Sequence, residues 1–246
     1  SRHNPHTNHA QPLDTAGFYC LELWGTPKLI AKQDTKRMSR RTTAIAAALS
    51  VLALGSPLNV ARANPLFDQY VHQGVERYNS GDYRGALAAY TKAIEIEPQI
   101  AELYNDRADT KRKLQDFQGA IADYTKAIEI NPQVDEAYFH RGVSKARLKD
   151  FQGSISDFTK AIQINPQDAM AYYNRGLSKS KSKDLQGAIA DYTKTIEIKP
   201  QYANAYLNRG IDREIVNDLK GACLDWRKAA GLGKENAAEW VKNQCS

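Results

Sequence analysis

The sequence predicts an all-α solenoid: five helical hairpins in line, closed by a short C-terminal capping helix. Three observations carry this. Pro98, Pro132, Pro166 and Pro200 stand 34 residues apart. The stretch from Tyr90 to Pro98 recurs, nearly unchanged, before each later proline. Within every period the apolar residues fall on two helical stripes separated by a turn. A repeat of this length marks an array in which each unit buries its faces on its neighbours. The units are 67–100, 101–134, 135–168, 169–202 and 203–236.

Each unit predicts one helix over its positions 1–14 and a second over 17–30. Position 8 is Gly74, Ala108, Gly142, Gly176 and Gly210, and position 20 is Ala86, Ala120, Ser154, Ala188 and Ala222. Small residues at both places let two antiparallel backbones approach. Tyrosine fills position 4 throughout (Tyr70, Tyr104, Tyr138, Tyr172, Tyr206), and Tyr90, Tyr124, Phe158, Tyr192 and Trp226 fill position 24. These rings are expected to occupy the space the small residues leave. Asp82, Asp116, Asp150, Asp184 and Asp218 stand in the turn, placed to cap the second helix. The proline at position 32 ends it.

The ends of the array are also marked. Asn64-Pro65 reads as an N-cap followed by a first-turn proline. In the last unit Lys234 replaces the proline and Gly231-Leu232-Gly233 makes the turn. A capping helix over about 235–245, presenting Ala238, Trp240 and Val241, is expected to cover the final face.

This order of aromatic, small, small, aromatic, small and proline at positions 4, 8, 20, 24, 27 and 32 resembles the tetratricopeptide repeat family, over some 170 residues from Phe67 to about Asn236. The resemblance implies a right-handed superhelix whose concave face is lined by the first helices. It also implies binding of peptides or partner proteins, with no catalysis and no cofactor. The wording of Asn174-Arg175-Gly176 and of Asp123 to Ile128 is similar to bacterial, notably cyanobacterial, members.

Two positions depart from the family. Position 7, usually aliphatic, is Gln73, Arg107, Arg141, Arg175 and Arg209; position 11 is Arg77, Lys111, Lys145, Lys179 and Arg213. A cation facing a hairpin interior needs a partner. Position 23 supplies Asp123, Asp157, Asp191 and Asp225, and the one unit with Ala89 there is the one with Gln73. The pattern predicts an ion pair inside each unit; a row of arginines gripping an anion is the rival reading.

Carried over from the family, positions 5, 9 and 13 of the first helices face the groove. They predict an apolar floor of Phe139, Tyr173, Leu207, Val143, Leu177 and Ile211 beside a basic row of Lys113, Arg147 and Lys181. That combination suits an extended or helical peptide with acidic flanks. The pairing of Lys at position 5 with Asn at position 9, by which chaperone-tail-binding members hold a terminal carboxylate, occurs in no unit.

No catalytic or metal constellation emerges. His72 and His140 share unit position 6 two units apart, too far to share an ion when neighbouring helices are ~8–10 Å apart. The glycines recur with the repeat and form no phosphate loop.

The net charge of +6 belongs to the leader: residues 1–63 carry eight Lys/Arg against three Asp/Glu, and residues 64–246 carry 26 against 25. A nucleic-acid partner is therefore not expected. Residues 1–37 show no apolar period and read as an upstream or disordered segment. Residues 38–63 read as a signal peptide, with basic Arg40-Arg41, an apolar stretch, and Ala61-Arg62-Ala63 before a mature start at Asn64. The apolar stretch breaks at Gly55-Ser56-Pro57, short of the ~20 residues a spanning helix needs. Membrane contact is expected only through an uncleaved signal, and the expected address is the periplasm or thylakoid lumen.

Export leaves Cys223 and Cys245 in the mature chain. An oxidising compartment and the chain reversal at Gly231-Leu232-Gly233 predict a disulfide between them. The function expected is a scaffold supporting assembly of an envelope or thylakoid complex, as a monomer or weak homo-oligomer. A self-assembling module and a non-catalytic subunit of an enzyme complex are the alternatives.

Overall fold

The computed structural model describes residues 64–245. The leader, its proposed cleavage site and Cys20 lie outside these residues. Among the described residues there are eleven helices and no strands. The first helices of the five units are α1 (Pro65–Ser80), α3 (Ala101–Lys113), α5 (Asp135–Arg147), α7 (Ala169–Lys181) and α9 (Ala203–Ile215). The second helices are α2 (Tyr83–Ile96), α4 (Phe117–Ile130), α6 (Phe151–Ile164), α8 (Leu185–Ile198) and α10 (Leu219–Gly231). The cap is α11 (Glu235–Gln244). Each second helix packs on its own first helix and on that of the next unit, or in unit five on the cap.

Local chemistry sets the boundaries. The turn aspartates each accept the backbone N–H of a glycine three residues on, as in Asp116 with Gly119 and Asp150 with Gly153, both at 2.9 Å. The second helices end at Glu97, Asn131, Asn165 and Lys199, each the residue before the proline, where the ring ahead disfavours helical backbone. The Asn64 side chain caps α1 by accepting from the Leu66 N–H at 3.1 Å.

The residue after each first helix's last turn takes a left-handed conformation. Unit one meets this with Gly81, but units two to five place Gln115, Lys149, Lys183 and Asn217 there, at φ between 63° and 70°. A residue with a β-carbon is strained in that region.

The core follows the small–aromatic pattern. The position-20 residues are fully buried, and the position-24 rings lie against position 8. A β-carbon on Gly176 would come within 2.8 Å of the Tyr192 ring. Two of the position-4 tyrosines also tie their unit to the turn before it: the Tyr104 hydroxyl donates to the Pro98 carbonyl at 3.1 Å and the Tyr206 hydroxyl to the Pro200 carbonyl at 3.2 Å. At the cap, Ala237 and not Ala238 enters the core, beside Trp240 and Val241, because Ala238 points outward. The Trp226 and Trp240 rings meet edge to face at 5.3 Å. Cys223 and Cys245 are bonded, with Cα atoms 5.6 Å apart.

Candidate functional site: the face of the first helices

Successive first helices touch at α3–α5, α5–α7 and α7–α9, while successive second helices stand further apart. The side on which like helices approach is the inside of the curve. The first helices therefore line the concave face.

The position-7 arginines are not on offer to a ligand. Arg141 grips Asp157 with two prongs, Nε to Oδ2 at 2.9 Å and Nη2 to Oδ1 at 2.7 Å, and its third nitrogen donates to Thr125 of the preceding unit at 3.0 Å. Lys145 adds a second cation to Asp157 at 2.8 Å. The Arg141 guanidinium also lies 5.6 Å from the Tyr138 ring centroid. Units two, four and five repeat the arrangement. In unit two the hydrogen bond to Asp123 holds the Arg107 guanidinium above its ordinary pKa, against the opposing effect of burial. The rival anion-row reading is thus excluded for position 7.

Sequence reasoning missed the threonines, although a signal was present. Position 25 is Thr91, Thr125, Thr159 and Thr193 in units one to four and Arg227 in unit five. Each of these threonines accepts from the arginine of the next unit. The threonine row is the arginine row displaced by one unit. In the last unit Arg227 instead donates to the Cys245 carbonyl at 3.0 Å, holding the cap.

The predicted apolar floor is shallower than expected. Val143, Tyr173 and Leu207 are 2%, 5% and 7% exposed and belong to the packing between units. Tyr173 packs on Tyr192 and Tyr202 and accepts a hydrogen bond from Asn208 at 2.8 Å. Phe139, Leu177 and Ile211 remain partly exposed at the edges of three successive core clusters. Of the basic row, Arg147 and Lys181 are exposed and Lys113 is half-buried.

Toward the N-terminal units the face becomes polar. Asp109 accepts from the Tyr124 hydroxyl at 2.6 Å and from Arg112 at 3.1 Å. Burial and the Asp109 charge together push the Tyr124 hydroxyl well above its ordinary pKa. Burial acts to lower Arg112, but Tyr124 and Asp109 outweigh it and hold the guanidinium firmly charged. At the opposite end, Asp212 accepts from Ser180 at 2.8 Å, and its carboxyl is raised by burial to about 6. His72 is exposed, and the His140 ring stacks 6.1 Å from that of Tyr124. Among the described residues no three His, Cys, Asp or Glu side chains are grouped to hold a metal ion, and no helix is long and apolar enough to cross a membrane.

A helical solenoid whose first helices line its inner face belongs to the class of repeat scaffolds. The tetratricopeptide repeat pattern matches residues 70–100, 101–134, 135–168 and 169–202, more than half the sequence. The chain belongs to the tetratricopeptide repeat family. It is 46% identical over 44 residues to a tetratricopeptide repeat protein 36 homolog of Nematostella vectensis, a match that spans 24% of that protein and 18% of this one. Among solved structures it is similar to MamA, at 27% identity and a TM-score of 0.66 over 70% of this chain and 94% of that one. It also shares its fold with YrrB, described as having an unusual peptide-binding site, at 19% identity and a TM-score of 0.64 over 71% and 90% of the two chains.

Proposed function

We propose that this chain is a non-catalytic scaffold that holds a peptide or a segment of a partner protein along its concave face. The observation that carries the reading is the row Phe139, Leu177 and Ile211, apolar and only partly covered on three successive first helices, beside Lys113, Arg147 and Lys181. Half-covered apolar side chains in adjacent units form a continuous strip, and a charged edge gives a ligand its orientation.

Affinity capture from the native envelope fraction tests this. A partner retained by the wild type is expected to be lost from a Leu177→Asp chain carrying Lys113→Glu, Arg147→Glu and Lys181→Glu, with helical circular dichroism unchanged. Equal retention by both overturns the groove assignment.

We also place the protein outside the cytoplasm, in the periplasm or thylakoid lumen, supporting assembly of an envelope or thylakoid complex. The supports are the basic, apolar and small-residue order of residues 38–63 and the pairing of the two remaining cysteines. N-terminal sequencing of exported protein should begin at Asn64; sequence reading through Met38 or Thr42 refutes cleavage there.

End-to-end stacking of copies is disfavoured by the array's own ends. Unit one lacks the arginine that would reach back to another copy, and unit five lacks the threonine that would receive one. Light scattering is expected to give a concentration-independent monomer.

A further inference from the structure

Position 10 of the first helices carries a hydroxyl in units two to four, as Thr110, Ser144 and Ser178, and a carboxyl in unit five, as Asp212. All four are buried, Asp212 at 2% exposed. The hydroxyls are satisfied without charge. Thr110 donates to the Asp106 carbonyl at 2.8 Å, Ser144 to that of His140 at 2.9 Å and Ser178 to that of Asn174 at 3.0 Å, each one turn back. An ionised carboxylate only accepts hydrogen bonds, so it has no hydrogen to give in the same place. A protonated one has.

Asp212 stands where hairpin five meets hairpin four. It accepts from Ser180 of α7 at 2.8 Å, and its Oδ2 is buried with no hydrogen-bond partner among the described residues. The surrounding charges leave it alone. On α7, Lys181 acts on it from the exposed surface, where water screens it, while Lys179 is taken by Asp191. On α8, Asp191 is held by Arg175 as well. Arg209 and Arg213 of α9 are occupied with Asp225 and Asp218 of α10 and its turn. Glu214, two residues on, is half-buried, and burial raises its own carboxyl. A buried carboxylate with one neutral donor and no cation closing on it favours its protonated form.

The same junction carries part of the groove strip. Ile211 precedes Asp212 on α9, and Leu177 lies one turn before Ser180 on α7. The disulfide between Cys223 and Cys245 ties the cap to α10, so the cap travels with hairpin five.

We propose that Asp212 is a proton-operated latch: protonated, it keeps hairpin five closed on hairpin four, and ionised, it lets hairpin five and the cap open away as one piece. The sign follows from burial, which raises the carboxyl from 3.8 to about 6 in the closed junction. Closure is favoured most below pH ~4 and weakens as pH rises through ~6. Opening carries Ile211 away from Leu177, so acid keeps the C-terminal end of the strip continuous and neutral pH interrupts it. That consequence rests on the groove reading above. The latch itself rests on the junction, and its test contains no ligand, so the two fail separately.

The test is native-state hydrogen exchange of the full chain between pH 5 and pH 8, corrected for the intrinsic pH dependence of exchange. The population in which α9 to α11 are open is expected to rise about tenfold over that range relative to α3 to α6. Asp212→Asn, which keeps the acceptor and removes the charge, should abolish the rise. Ser180→Ala removes the bond that steadies the charged form, so the rise should continue to higher pH. Glu214→Gln should leave it in place. Carbon-detected NMR of the wild type should find the Asp212 carboxyl titrating near pH 6. A rise that is the same in Asp212→Asn as in the wild type, or a carboxyl that titrates near pH 4, overturns the latch.

Discussion

Arg141 and Asp157 face each other across the third hairpin in a two-pronged ion pair, with N–O distances of 2.9 and 2.7 Å. The Arg141 side chain is 15% exposed and that of Asp157 3%. The same guanidinium reaches back to Thr125, whose hydroxyl meanwhile donates to the Ile121 carbonyl at 2.7 Å. One residue thus locks its own hairpin and fastens it to the previous one. Repeated in units two to five, the motif is a polar ladder running through a stack of otherwise small and aromatic contacts.

Breaking one rung should therefore be costly. Asp157→Ala strands both Arg141 and Lys145, and removal of one partner from a buried pair costs about 3–5 kcal/mol. Thr125→Val removes a single neutral acceptor and should cost only about 1 kcal/mol. Chemical denaturation of the two variants checks the ratio; equal losses would mean the ladder carries no special weight.

The left-handed turns offer a gain. Lys183 has φ 70°, a conformation that glycine adopts without strain, as Gly81 does in unit one. Lys183→Gly is expected to raise stability by up to about 1 kcal/mol. A fall in melting temperature on this substitution would show that the side chain supplies more than the backbone strain costs.

Asp212 makes stability depend on pH. Burial raises its carboxyl from 3.8 to about 6, opposed by the Ser180 hydrogen bond and by Lys181. Because the folded state binds this proton more tightly than the unfolded chain, the protein is favoured below pH ~4. It then loses up to about 3 kcal/mol as pH rises through ~6. Asp212→Asn should match the wild type near pH 4 and exceed it at pH 7.5. Parallel melting curves for the two proteins across that range would rule the effect out.

For the disulfide, the expected finding is that unreduced native protein contains no alkylatable thiol among Cys223 and Cys245. Closing a loop of 22 residues should stabilise the terminal unit by about 3 kcal/mol on the chain-entropy account. Reduction is expected to increase hydrogen exchange in α11 and α10 first, with α1 to α8 unaffected, since a linear array frays from its ends. Two titratable thiols in exported protein would end the idea.

Repeat count, helix boundaries, aspartate caps and the pairing of position 7 with position 23 were all legible in the sequence. Each is a relationship inside one 34-residue unit, or between neighbours, copied often enough for its variations to be informative. In unit one the arginine and the aspartate give way together, to Gln73 and Ala89, because the pair is useless with one member missing. Position 25 obeys the same logic across the unit boundary, and its exception, Arg227, stands where the capping helix takes the place of the next hairpin.

What only the tertiary structure decided is which side chains the inner face leaves uncovered. Val143, Tyr173 and Leu207 occupy groove positions in the repeat yet are packed away, while Leu177 and Phe139 at equivalent positions stay partly open. Likewise nothing in the periodic pattern says that the Asn105 Oδ1 is buried without a hydrogen bond or that Ala237 rather than Ala238 enters the core. The reason is geometric. A repeat encodes the contacts of one unit, whereas exposure on the concave face depends on how far each hairpin rotates against the next and on which bulky neighbour fills the gap. That angle is set by particular side chains meeting across the junction, and the 34-residue period does not record it.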